Sequence, residues 1–179
     1  MDDAVNFGGI GAVIGHELTH GFDDQGSKYD AVGDLRNWWT EADKAEFEKR
    51  TSCISDEYDQ FVAVEDVHLK GRLTLGENTA DNGGIRISLM ALRNKMAAEK
   101  HTPKPVDGFT PEQRFFLSFA QIWCQNVNPA QARLRALTDP HSPGRYRVNG
   151  VVSNMPEFQQ TWGCKAGQPM VRANACRVW

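Results

Sequence analysis

The stretch NFGGIGAVIGHELTHGF, residues 6–22, decides how the rest of the chain is read. Ile10, Ile14 and Leu18 recur at helical spacing on one stripe, and Val13, His16, Glu17 and His20 fall on another. That pattern predicts a buried helix, which Gly21 is placed to end. The glycines at 8, 9, 11 and 15 are poor helix formers, so they point to close packing against neighbouring backbone. Inside this helix HELTH, residues 16–20, has the form H-E-x-x-H. Two imidazoles four residues apart share a helical face and can grip one zinc ion, while the Glu beside the first reaches the water the metal activates. A chance match arises on the order of once in a few hundred chains of this size, so the surroundings must decide.

A catalytic zinc takes three protein ligands and keeps one position open. The extended pattern that supplies a third His would place it at position 26, which is Gly26. The third ligand is therefore expected among the acids. Glu41, Asp43 and Glu46 lie in a charged, solvated helix. Glu77 is better placed, because in GENTADNGG, residues 76–84, it shares a helical face with Asp81. One of the pair can ligate the metal while the other accepts a hydrogen bond from a ligating imidazole. Asp23, three residues past His20, can serve the other histidine, although a turn at the helix end explains it equally well. His68 and His101 sit among polar residues, where a solvated role is expected. His141 stands between Asp139 and Arg147 in a segment shaped by Pro and Gly, where an oriented imidazole and a guanidinium can converge on one substrate.

Outward from these motifs the chain reads as mainly helical with minor β. Thr40 caps an amphipathic helix through KAEFEKRTSCISDEYDQF, and residues 77–98 form another despite Gly83 and Gly84. Thr110, Pro111 and Gln113 form a cap signature for a helix whose Phe115, Phe116, Phe119, Ile122 and Trp123 make an apolar stripe. A shorter helix is expected from Pro129 to Leu137 and another around PEFQQTW, whereas DPHSPGRYRVNG reads as turn and loop. Strand signals are limited to HLKGRLTL and YRVNGVV.

Length and composition fit one domain, residues 1–179, with no repeat and no domain linker. A net charge of -3 with scattered Lys and Arg excludes the electrostatic footprint of a nucleic-acid binder. No apolar run is long enough for a transmembrane segment, and MDDAVNFGG carries no visible signal. The four cysteines, at 53, 124, 164 and 176, lack metal-binding spacing, so disulfides are expected, with three pairings open.

Taken in order and spacing, NFGGIGAVIGHELTHGFDDQG, GENTADNGG, FAQIWC, HSPGRYRVNG and the closing CRVW resemble the C-terminal catalytic region of the neprilysin family of zinc endopeptidases, which includes the endothelin-converting enzymes. The resemblance covers essentially the whole chain. It implies a gluzincin fold with a thermolysin-like zinc helix, forming the C-terminal portion of a larger two-lobed peptidase whose N-terminal lobe would be a partner. It implies one Zn2+ held by His16, His20 and Glu77, with Glu17 as base. Asp23 and Asp81 would orient the histidines, Asp139 and His141 would stabilise the transition state, and Arg147 would bind a substrate carbonyl. Val13 and Trp123 would line the pocket past the scissile bond. The likeness further pairs Cys53 with Cys176, leaving Cys124 and Cys164 with partners in the N-terminal lobe, and implies an extracellular, periplasmic or membrane-anchored setting. The expected function is hydrolysis of short peptides before an apolar residue. Two alternatives stand beside it: a zinc-binding but catalytically incompetent fragment that acts as a ligand- or inhibitor-binding module, and a metal-free structural remnant.

Overall fold

Eight α-helices and one small hairpin account for the regular structure in the computed structural model, which describes residues 2–99 and 104–179. His101 lies outside the described residues. The opening helix runs in joined pieces: α1 (Asp3–Asn6), a π-helical turn at Phe7–Gly11, α2 (Ala12–Thr19) and a 3-10 turn at His20–Phe22. Gly21 thus falls inside a tightened last turn, and extended backbone begins at Asp23. After a loop come α3 (Glu41–Tyr58), the hairpin of β1 (Val62–Val64) and β2 (Val67–His68), and the long α4 (Leu75–Ala98). Four more helices follow: α5 (Pro111–Ile122), α6 (Pro129–Thr138), α7 (Gly144–Val152) and α8 (Pro156–Trp162).

Local chemistry accounts for most helix starts. Thr40 accepts from the Asp43 amide at the head of α3, Asn128 from Gln131 at α6, and Thr110 with Gln113 closes a complete capping box on α5. The helix α7 has no such cap, and here the sequence reading is corrected. DPHSPGRYRVNG continues into a helix from Gly144, so Arg147 sits on helix rather than loop, and YRVNGVV is not a strand. Its Val151 and Val152 are 0% and 2% exposed, so core burial overrides their β preference. HLKGRLTL is also corrected: only His68 belongs to a strand, paired antiparallel with Val62, and Leu75 already begins α4.

The core forms around α4. One cluster joins Ile85, Leu89 and Leu92 of α4 to Ala4, Ala12, Phe115, Phe116, Phe119, Val151 and Met155. A second joins Leu75 to Phe47, Ile54, Tyr58, Ala136 and Val178, next to a disulfide between Cys53 and Cys176. Closing a loop of 123 residues, that bond stabilises by roughly 5 kcal/mol in the chain-entropy account. Cys124 and Cys164 are free thiols.

The prediction of a buried opening helix is corrected as well. The face of α2 that packs on α4 is Ala12, Gly15, His16 and Thr19, whereas Ile10, Ile14 and Leu18 are 62%, 56% and 63% exposed. Small residues permit the α2–α4 contact. A Cβ on Gly15 would lie 2.5 Å from the Gly84 carbonyl oxygen, and one on Gly84 would lie 2.3 Å from the His16 amide nitrogen. The two backbones touch at the point where α2 presents its first histidine.

Candidate metal centre

Antiparallel packing of α2 on α4 sets His16 and His20 opposite Glu77, which stands one turn before Asp81. His16 Nδ1 lies 2.8 Å from Asp81 Oδ1, and His20 Nδ1 lies 2.7 Å from Asp23 Oδ2. Asp23 is itself fixed, accepting from the amides of Gln25 and Gly26 at 2.8 and 2.7 Å. With each Nδ1–H committed to a carboxylate, both Nε2 lone pairs point inward. They lie 3.0 Å apart, and Glu77 Oε2 and Oε1 lie 3.3 Å from His16 Nε2 and 3.6 Å from His20 Nε2.

Two facing lone pairs and a carboxylate repel unless something positive sits among them. Ligands about 2.0–2.1 Å from a tetrahedral zinc lie roughly 3.3 Å from one another, and the three observed separations centre on that value. The donor set therefore fits such an ion, and it is the one His, Cys, Asp and Glu cluster of that kind among the described residues. Without a metal, a proton takes the place. Burial disfavours the charged form of His16, but hydrogen bonds to Asp81 and Glu77 outweigh it and raise its pKa to about 9. Burial likewise raises Glu77, and the hydrogen bond from His16 with the charges of His141 and Arg147 more than reverses it, leaving a lowered pKa.

Around this cluster runs a cavity of about 260 Å³, lined by Val13, Glu17, Trp123, His141 and Arg147 as well as the three candidate ligands. Glu17 projects from the exposed face of α2 beside His16. His141 Nε2 is 3.3 Å from Glu77 Oε1, and its Nδ1 and backbone amide are 2.8 and 2.9 Å from Asp139 Oδ1. Burial raises Asp139, but the His141 amide and ring lower it further, so the acid stays ionised behind the imidazole. Arg147 grips Asp81 with Nε and Nη2, both at 2.7 Å, reaches Glu77 at 3.3 Å, and lies 3.8 Å over the Trp123 ring.

The residues singled out in the sequence thus meet in one place. Glu41, Asp43 and Glu46 are exposed on α3 and outside the cluster, and His68 is exposed with Nδ1 near the Asp59 carbonyl. Two supporting contacts escaped the sequence reading. Arg147 ties Asp81 to the far side of the site, and buried Ser142 donates to Asn78 at 2.8 Å, pinning the His141 segment to α4. Neither has a local sequence signal, because each joins residues more than sixty positions apart.

The model of a family described as peptidase family M13 matches residues 1–178. Neprilysin-1 of Caenorhabditis elegans is 46% identical over 98% of this chain and 24% of its own length. Endothelin-converting enzyme 1 of Homo sapiens is 46% identical over 98% of this chain and 23% of its own. Among solved structures, Mycobacterium tuberculosis zinc metalloprotease ZMP1 in complex with inhibitor superposes with a TM-score of 0.94 at 40% identity, covering 100% of this chain and 28% of that one. PepO from Lactobacillus rhamnosis gives 0.83 at 35% identity over 96% and 25%. The chain spans about a quarter of the length of the curated relatives it matches.

Proposed function

The chain belongs to peptidase family M13, and from that premise we propose that it is the zinc-dependent catalytic domain, residues 1–179, of a longer peptidase acting on short peptides. The carrying observation is the triangle of His16, His20 and Glu77, whose 3.0, 3.3 and 3.6 Å separations suit one tetrahedral ion. When bound, zinc supplies Lewis acidity that polarises a peptide carbonyl and brings the pKa of water toward neutrality.

The protein's own groups do the rest. Glu17, beside the cluster and open to the cavity, accepts the proton of the attacking water at its carboxylate and hands it to the leaving amine. His141 donates from Nε2 to the oxygen on which charge develops, with its Nδ1–H held by Asp139. Arg147 commits Nε and Nη2 to Asp81 and Glu77 and keeps the Nη1 donors for a substrate backbone carbonyl. Val13 and Trp123 receive an apolar side chain after the cut. The disulfide favours an oxidising setting, that of an extracellular, periplasmic or membrane-anchored ectodomain. No helix among the described residues is long and apolar enough to cross a membrane.

One observation favours the alternative of a metal-holding but catalytically incompetent module for the isolated chain. The His141 side chain is 51% exposed, so water screens the contact meant for the oxyanion. A fluorogenic peptide with an apolar residue after the cut decides between them. The native chain loaded with zinc is expected to hydrolyse it, and Glu17→Gln is expected to keep its metal while losing at least about a hundredfold in turnover. Metal loss in Glu17→Gln would refute the division of roles, and a native chain no faster than Glu17→Gln would favour the non-catalytic module.

A further inference from the structure

Residues 139–143 join α6 to α7 and carry His141, whose side chain is 51% exposed. A half-exposed imidazole donates to one fixed point only if the segment beneath it is held. Its bonds to Asp139 do not hold it, because both residues belong to the segment. The Asp139 carboxylate fixes how the ring turns and leaves open where the segment sits. The contact with Glu77 Oε1 does not hold it either, since Glu77 is a candidate metal ligand whose oxygens the ion would claim.

The remaining tie is buried. Ser142, 4% exposed, donates from Oγ to Oδ1 of the fully buried Asn78 at 2.8 Å. Apart from the His141–Glu77 contact, this is the one hydrogen bond from residues 139–143 to α4 among the described residues. A chain of bonds sets its direction. Thr74 Oγ1 donates to the Lys70 carbonyl at 3.4 Å and accepts from Asn78 Nδ2 at 2.8 Å. The Asn78 amide is thereby turned with Oδ1 toward Ser142. Asn82 braces the same turn of α4, donating to the Asn78 carbonyl at 2.8 Å. Thr74, Asn78, Asn82 and Ser142 are all buried, so water does not weaken these bonds as it does those of His141.

We propose that Asn78 and Ser142 are positioning residues that hold His141 Nε2 over the metal site, where it donates to the oxygen on which charge develops. The inference rests on the oxyanion role proposed for His141. Asn78 directly follows Glu77 and Ser142 directly follows His141, so their bond links ligand and donor one residue from each. Neither residue lines the metal-site cavity, and both act through the imidazole.

The test compares two peptides of one sequence on the zinc-loaded native chain, one carrying a phosphinic group in place of the scissile bond and the other a thiol. The phosphinic group offers His141 an oxygen besides the one that faces the metal, whereas the thiol meets the metal through sulfur alone. Dissociation constants come from isothermal titration calorimetry. His141→Ala and Ser142→Ala should each weaken the phosphinic peptide about tenfold, with thiol affinity and zinc content unchanged. Ser142→Ala added to His141→Ala should cause no further loss, because the pair acts only through the imidazole. Ser142→Ala also leaves Asn78 Oδ1 buried without a donor. Asn78→Leu combined with Ser142→Ala removes both polar groups, and the same selective loss is expected in a chain free of that orphan. Equal losses on both peptides, a phosphinic affinity that the double variant keeps, or a further loss in the His141→Ala background overturns the positioning role. A loss in His141→Ala alone removes the pair and leaves the oxyanion role standing, whereas no loss in His141→Ala removes the oxyanion role and the pair with it.

Discussion

At the scale of single residues, a metal and a proton compete for the same place. The His16 imidazole is held by Asp81 on one side and Glu77 on the other, which raises its pKa to about 9 in the metal-free chain. A raised folded-state value stabilises the metal-free fold fully below the ordinary histidine value near 6.5, and that contribution is lost as pH rises through about 9. Zinc needs the neutral ring, so it must displace that proton. Zinc affinity should fall roughly tenfold for each pH unit below about 9, down to about 6.5. Calorimetric titrations between those limits, in buffers of different ionisation enthalpy, should register one proton released from His16 per ion. Zinc affinity independent of pH across that window would refute this account of the residue. The pairing was visible in the sequence because HELTH and the Glu77–Asp81 spacing each place two groups on one helical face. Arg147 was visible beside His141 as a guanidinium able to meet a substrate, but its pairing with Asp81, sixty-six positions away, had no local signal.

At the scale of elements, the site depends on how closely α2 approaches α4. Gly15 and Gly84 lie in backbone contact beside His16, and no side chain fits between them. Gly84→Ala should therefore cost about 1–3 kcal/mol in thermal or denaturant unfolding and weaken zinc binding, because the intruding methyl meets the His16 amide first. Gly21, with nothing within 4 Å of an added Cβ, supplies the control, and Gly21→Ala should leave metal content unchanged. Equal zinc affinity in both variants would show that the contact does not position His16. The helices that open with Thr40, Thr110 and Asn128 were readable because capping is local chemistry. The helix α7 was not, since it begins on Gly144 without a side-chain cap and carries three valines, so only burial against α4 and α5 makes it helical. For the same reason the stripe Ile10, Ile14 and Leu18 was misjudged: apolar periodicity identifies a helix face but not what covers it.

At the scale of the molecule, the chain spans about a quarter of its curated relatives, and it leaves a set of apolar side chains exposed. Ile10, Ile14 and Leu18 on the opening helix, with Ile87 at 46% and Met90 at 63% exposure on α4, leave a large apolar area in water. The isolated chain should therefore self-associate with rising concentration. Ile14→Asn combined with Met90→Asn should reduce that association in sedimentation velocity without altering metal content, and a chain monomeric at all concentrations would remove the argument. Three ligands converge on one position, so elemental analysis of the purified, zinc-equilibrated chain should return one zinc per molecule. Glu77→Gln should lose most of that zinc, whereas Glu46→Gln, altered on the exposed face of α3, should retain it. Equal zinc in the native chain and Glu77→Gln would contradict the assignment of the site.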